Sequence, residues 1–203
     1  MKKILVTGGC GFIGSHLVNE LIIQGVKPHE IRLLVPQGES LKNMNSKKLE
    51  IIRGDIRDKD ALKKAIQGVE TIYHLAAKTV FDGASFADYA EVNVKGTQNV
   101  LDSCLGKKIQ KLVFFSSIAV YGLPAYVGEI INWNETRLKK PREPYGESKL
   151  EAENRVERFH HQTGLPYTIL RPTTVYGPAD HQGILELYKA IRRHYFLPIG
   201  NGQ

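Results

Sequence analysis

The turn that opens the chain constrains its fold more than any other feature. A short apolar run, Ile4 to Val6, leads directly into Thr7-Gly8-Gly9-Cys10-Gly11-Phe12-Ile13-Gly14, where a segment of helical period begins. Ile13, Leu17, Val18, Leu21 and Ile22 recur on one face of an amphipathic helix. A strand joined to a helix by nearly bare backbone lets a pyrophosphate approach, while free N–H groups and the helix dipole stabilise its charge. Gly9, Gly11 and Gly14 satisfy one register of the dinucleotide fingerprint, and Gly8, Gly11 and Gly14 satisfy a second with one more residue in the turn. Either string is weak by itself; at the first strand-to-helix junction of a repeating series it is strong.

The series is present. Strands are expected at Ile31 to Val35, Leu49 to Ile52, Thr71 to His74, Leu112 to Phe115 and Tyr167 to Leu170, with helices over about 58–67, 86–105 and 144–162. This alternation gives a doubly wound α/β fold, a parallel sheet with helices on both faces, and the strands are apolar on both faces accordingly. Ser85 and Asp88 form a capping-box pattern, Pro144 suits a first helical turn, and Gly106 suits a helix end. The connection from Ser117 to Glu143 leaves the carboxyl end of a strand and is far longer than most, which marks it as functional.

Composition narrows the function classes. With 203 residues, 42% hydrophobic and 24% charged, the chain has the make-up of one large globular domain with room for part of a second. Its apolar runs fall well short of the roughly 18 residues that a membrane span needs. Met1-Lys2-Lys3 lacks the pattern of a secretory leader, so a cytoplasmic protein without membrane partners is expected. Cys10 and Cys104 have neither disulfide nor metal spacing, and His160, His161 and His181 lack ligand partners, so no metal site is expected. The net charge of +7 would suit nucleic acid, an acidic membrane surface or anionic nucleotides. Its densest cluster, Arg137, Lys139, Lys140 and Arg142, is interleaved with Leu138 and Pro141 and has no aromatic platform. It is read as a solvated loop, and nucleic acid is disfavoured as a partner.

Two further segments carry chemistry. An acidic residue at the tip of the second strand would bind the ribose hydroxyls of NAD, but Leu34-Val35-Pro36-Gln37-Gly38 supplies none. No arginine occupies that tip to hold a 2′-phosphate either, since Arg32 lies inside the strand and Lys42 lies past it, so NAD and NADP both stay open. In Pro144-Tyr145-Gly146-Glu147-Ser148-Lys149, Tyr145 and Lys149 share one helix face. An ammonium beside a phenol favours the phenolate, making a proton acceptor for an alcohol. Ser116 and Ser117 end a strand, so their hydroxyls are expected at the carboxyl edge of the sheet, where ligands of such folds bind.

In this order on this pattern, the chain resembles the extended short-chain dehydrogenase/reductases, in their NAD-dependent epimerase/dehydratase branch, from Lys2 to about Pro178. The resemblance implies an NAD(P)-binding Rossmann domain over 1–178 and the beginning of a small substrate lobe over 179–203. It implies cofactor contacts from Gly8, Gly11, Phe12, Ile13 and Gly14, from Asp55 and Ile56 beside the adenine, and from Leu75, Ala76 and Ala77 under the cofactor. Asn93 in Asn93-Val94-Lys95-Gly96-Thr97 would support the site, with Ser116, Tyr145, Lys149, Pro172 and Val175 completing the cofactor set. Ser117, Tyr145 and Lys149 match the family's catalytic positions: Tyr145 as phenolate moves a proton while the nicotinamide moves hydride, Lys149 lowers the tyrosine pKa and binds the nicotinamide ribose, and Ser117 orients the substrate oxygen.

Dehydratases of the family place an Asp-Glu pair directly after the catalytic Ser or Thr, whereas this chain has Ile118 and Ala119. The expected activity is therefore epimerisation or reduction of a nucleoside-diphosphate sugar. Two alternatives stand beside it: a reductase or hydroxysteroid-like dehydrogenase of small carbonyl compounds, suggested by the flavonol-reductase-like Leu34-Val35-Pro36, and a non-catalytic cofactor-sensing or RNA-binding relative. A homodimer is among the assemblies admitted. Members of the family are generally longer, so the chain is expected to stop inside the substrate lobe and to specify its chemistry better than its substrate.

Overall fold

The computed structural model describes residues 3–41, 44, 48–79, 85–122, 134–180 and 184–195; Lys42, His181 and the middle of the long connection lie outside them. Six strands form the sheet: β1 (Lys3–Thr7), β2 (Ile31–Val35), β3 (Glu50–Arg53), β4 (Val69–His74), β5 (Lys111–Phe115) and β6 (Tyr167–Leu170). All pairings are parallel, in the order β3-β2-β1-β4-β5-β6. The order reverses between β1 and β4, and a doubly wound sheet opens its ligand crevice at the carboxyl ends of such a pair. Main-chain bonds carry the pairing past the strands, with Leu75 N–H donating to the Thr7 carbonyl at 3.1 Å.

The helices are α1 (Phe12–Ile23), α2 (Lys59–Ala65), α3 (Phe86–Tyr89), α4 (Thr97–Cys104), α5 (Pro144–Thr163) and α6 (Ile184–Arg192). One apolar cluster covers each sheet face. Val18 of α1 packs with Val6, Ile31 and Leu33 on one side, and Leu62, Leu101 and Val156 from α2, α4 and α5 pack with Leu5, Ile72 and Phe114 on the other. Strands covered on both sides need apolar residues on both sides. The sequence signals act where expected: Ser85 and Asp88 close a capping box on α3, Pro144 is the first residue of α5, and Gly106 takes φ +69° after α4.

The single helix expected over 86–105 is interrupted by a π-helical segment, Ala90–Gly96, between α3 and α4. At its end the hydroxyl of Thr97, the first residue of α4, donates to the Asn93 carbonyl at 2.6 Å, a side-chain bond that competes with the regular helical ladder. The described residues divide into two compact units, within Met1–Thr173 and within Thr174–Gln203. The second contains α6, on which Ile184, Leu187, Tyr188 and Ile191 are exposed. Among the described residues, no helix is long and apolar enough to cross a membrane.

Arg32 shows why a buried cation can sit in an apolar strand. Its Nη1 donates to the carbonyls of Ala65 (2.6 Å) and Gln67 (2.7 Å) at the end of α2, and its Nη2 pairs with Glu50 at 2.8 Å. These are carbonyls that a helix terminus leaves unpaired. Arg32→Met should cost about 1–3 kcal/mol of folding stability in a denaturant titration, because buried acceptors lose their donor.

Candidate active site

The site is built where bare backbone lets three segments meet at the carboxyl edge. A side-chain carbon on Gly8, which has φ +72°, would lie 2.7 Å from Ala76 N, and one on Gly14 would lie 2.1 Å from Gly8 O. The turn after β1 therefore packs directly on the segment after β4 and on the start of α1. Gly11, the N-cap of α1, supplies no capping side chain, which leaves the first N–H groups of the helix available to an anion.

The expected adenosine residues are divided in their engagement. Ile56 is buried, and the Asp55 carboxylate is bound by the Arg57 guanidinium at 2.8 and 3.0 Å, which holds its pKa below the usual carboxylate range. The tip of β2 carries no acid, and Glu39 lies in the loop that follows it. Arg53 Nη1 donates to the carbonyls of Pro36 (3.1 Å) and Glu39 (2.9 Å), fixing the loop after β2. Burial and then the Glu39 charge push the Cys10 thiol up, with Arg53 opposing, so both charges bear on the glycine turn.

Beneath the turn lies a polar chain that the sequence reading did not foresee. His74, 1% exposed at the end of β4, meets Thr7 Oγ1 through Nδ1 (2.7 Å) and Thr97 Oγ1 through Nε2 (2.9 Å). The Thr97 proton is committed to the Asn93 carbonyl, so Thr97 accepts from His74 and the imidazole proton resides on Nε2. Nδ1 then accepts from Thr7, whose oxygen accepts in turn from Ala76 N–H at 3.3 Å. Asn93 extends the chain: its side chain pairs with both backbone groups of Lys78 (2.8 and 3.1 Å) and donates to Ser148 Oγ at 2.9 Å, next to Lys149. Lys78 is thus held through its backbone.

The serine, tyrosine and lysine come from three places. Ser117 follows β5 and caps a 3-10 turn, Ile118–Tyr121, accepting from Ala119 N–H at 3.1 Å. Tyr145 stands in the first turn of α5, and Gly146 beside it packs so closely that a Cβ would lie 2.6 Å from the Ala119 carbonyl. This approach sets the Tyr145 phenol on the Ser117 hydroxyl, with the Tyr89 ring edge-on at 5.8 Å. Burial pushes Tyr145 above its ordinary pKa; the Ser117 bond lowers it and Tyr89 raises it. Lys149, 2% exposed, donates Nζ to the Phe115 carbonyl at 2.5 Å and lies 4.7 Å from the Phe114 ring centre. Burial pulls it down to about 8, partly offset by Glu153.

Two placements differ from expectation. The Ser116 hydroxyl does not emerge at the edge: successive strand residues point to opposite faces, and Ser116, 5% exposed, turns inward toward the Glu153 carboxylate without a well-formed hydrogen bond. Lys139 is no solvated loop residue; it pairs with Glu153 at 3.0 Å and Glu157 at 3.2 Å. Leu75, Ala76, Ala77 and Pro172 are half-buried in the first unit, whereas Val175 belongs to the second and is exposed. Glu153 was missed although a signal existed: it follows Lys149 at the spacing that separates Tyr145 from Lys149.

Comparisons with known proteins give one family. The profile of the NAD dependent epimerase/dehydratase family matches residues 4–195. An N-acetyl-alpha-D-glucosaminyl-diphospho-ditrans,octacis-undecaprenol 4-epimerase of Escherichia coli O157:H7 is 31% identical, over 98% of this chain and 57% of its own. A dTDP-glucose 4,6-dehydratase double mutant from Streptomyces venezuelae, solved with NAD and DAU bound, superposes with TM-score 0.84 at 30% identity, over 98% of this chain and 65% of that one. A UDP-glucuronic acid 4-epimerase from Bacillus cereus, solved with UDP-glucuronic acid and NAD, gives 0.79 at 31%, over 94% and 63%. The chain thus spans about three-fifths of the length of these three proteins.

His74 makes stability depend on pH. Burial and then the Lys149 charge lower its pKa to about 3, against about 6.5 when unfolded. Between these values only the unfolded chain binds the proton. The His74 contribution is complete above about pH 6.5 and is lost on acidification at up to about 1.4 kcal/mol per pH unit. Urea titrations from pH 7 to pH 4 should show a shallower decline for His74→Gln than for the parent.

Proposed function

The chain belongs to the NAD dependent epimerase/dehydratase family, and from that premise we propose that it is an NAD(P)-dependent epimerase or reductase of nucleoside-diphosphate sugars. The observation that carries this reading is the Ser117–Tyr145 pair, with buried Lys149 one turn behind it, at the edge where the glycine turn also ends. The turn fits a dinucleotide: its packing excludes side chains at Gly8 and Gly14, and the N-terminus of α1 is left uncapped for a pyrophosphate. Bound there, the nicotinamide supplies hydride acceptance and return.

The residues of the chain supply the rest. Ser117 holds the sugar oxygen against the Tyr145 phenol, and the ionised phenol takes the hydroxyl proton as hydride leaves the carbon bearing it. Burial keeps Tyr145 a phenol in the resting pocket. Entry of positive charge, as an oxidised nicotinamide brings, lowers the phenol pKa and couples proton acceptance to cofactor occupancy. Returning hydride to the opposite face of the resulting ketone gives the epimer. Ile118 and Ala119 after Ser117 offer neither acid nor base for eliminating water, which sets dehydration aside.

Tyr145→Phe should lower turnover by about 10²-fold or more while NAD binding, measured by calorimetry, stays close to the parent value. The substrate class is tested with UDP-glucose, UDP-glucuronic acid and dTDP-glucose. Turnover of a hydroxysteroid with none of these three would replace the sugar reading by that of a carbonyl reductase. For the cofactor, Glu39 returns a carboxylate to the neighbourhood of the glycine turn, and Arg53 is engaged by loop carbonyls. NAD should therefore bind more tightly than NADP, and Glu39→Gln should narrow the gap by about tenfold; equal affinities in the parent would remove that role for Glu39.

A further inference from the structure

We propose that Glu153 is a positioning residue of this active site: from two turns behind Tyr145 it clamps Arg171 against Tyr121 and so holds in place the backbone on which Ser117 rides. The inference rests on the reading of Ser117 and Tyr145 as the reacting pair. Glu153 is fully buried, an unusual place for a carboxylate without a task. Arg171 grips it with both sides of the guanidinium, Nε donating at 2.8 Å and Nη2 at 2.9 Å, and Lys139 adds a third bond at 3.0 Å. The remaining Arg171 nitrogen, Nη1, donates to Tyr121 Oη at 2.8 Å. Tyr121 ends the 3-10 turn that Ser117 begins.

The clamp therefore reaches the Ser117 loop from its far end, and the same stretch of chain reaches it from the near end. Arg171 lies between the carbonyls of Leu170 and Pro172, which accept from Ser116 N–H at 2.8 Å and Ile118 N–H at 3.0 Å. Ser117 is thus suspended between two backbone bonds to a segment whose middle residue Glu153 fixes. A bidentate guanidinium–carboxylate pair is directional and short, suited to fixing a register. A buried ionic cluster costs desolvation and is weak grounds for stability by itself, which favours a geometric role.

Its charge also bears on the chemistry. Lys149 lies one turn away, with Glu153 opposing the loss of its proton; His74 and the Phe115 carbonyl face Lys149 from β4 and β5. Arg171, Lys139 and the Ser116 hydroxyl face Glu153 from the β6 end, the long connection and the β5 end, and against burial they hold it ionised. Glu153 is the negative charge that keeps Lys149 an ammonium deep in the fold.

The test is Glu153→Gln in the full chain, with amide hydrogen exchange as the first readout. Exchange at Ser116 and Ile118 should rise by about tenfold or more, while amides of β1 keep their protection. With a sugar nucleotide that the parent turns over, kcat should fall by about tenfold with KM within about threefold, and the limb of the kcat/KM profile that reports Lys149 should move down by about one pH unit as the lysine loses its counter-charge. Should Glu153→Gln fail to fold, Tyr121→Phe removes only the hydroxyl that Arg171 grips and is read on the same two amides in the same direction. Unchanged exchange at both amides, or a rise shared equally by β1, would overturn the proposal. If the parent turns over none of the sugar nucleotides, the proposed activity fails by itself, and the exchange measurement still decides the clamp.

Discussion

The carboxyl edge of this sheet depends on backbone meeting backbone. Gly8 lies against Ala76, and Gly14 lies against Gly8, at distances that leave no space for a Cβ at either glycine. Because the contact is made by main chain, it fixes the turn after β1, the exit of β4 and the first turn of α1 as one unit. His74 reinforces that unit from below, its ring bridging Thr7 and Thr97. The Nε2-protonated tautomer carries the order onward through the Asn93 carbonyl, and the Asn93 side chain reaches Ser148. A polar relay directed in this way links the glycine turn to the helix bearing Tyr145 and Lys149.

How much of this was legible in the sequence follows from which contacts are local. The strands and helices were legible because each buries its own periodic apolar face, and the caps at Ser85, Pro144 and Gly106 are local devices. Boundaries moved by a residue or two, as at β3, expected from Leu49 and observed from Glu50. The π-helical segment was not legible in the local pattern; at this segment Asn93 reaches Ser148 of α5 and Thr97 meets His74 of β4, contacts that only the tertiary fold supplies. Lys139 looked like one cation in an exposed run, and only the tertiary fold brings two carboxylates to it. Ser116 was misjudged by treating two adjacent serines as equivalent, although strand alternation sends one inward. Glu153 was within reach of sequence reasoning, because Tyr145, Lys149 and Glu153 repeat at one helical spacing.

That spacing organises the electrostatics of the site by depth. Tyr145 is half-buried, Lys149 is 2% exposed and Glu153 is fully buried. Burial acts with opposite sign on the first two, raising the phenol and lowering the ammonium, so desolvation alone would leave a neutral acid beside a neutral amine. A carboxylate deeper still works against that outcome at the lysine. It can do so only if it remains ionised itself, and against the penalty of burial Arg171 and Lys139 secure this. The chain of dependence thus runs inward, from Lys149 to Glu153 and on to the cations that face it. Solvent can relax a surface charge, but it cannot reach Glu153, so the charge state of Lys149 is set by the packing around a carboxylate one turn deeper.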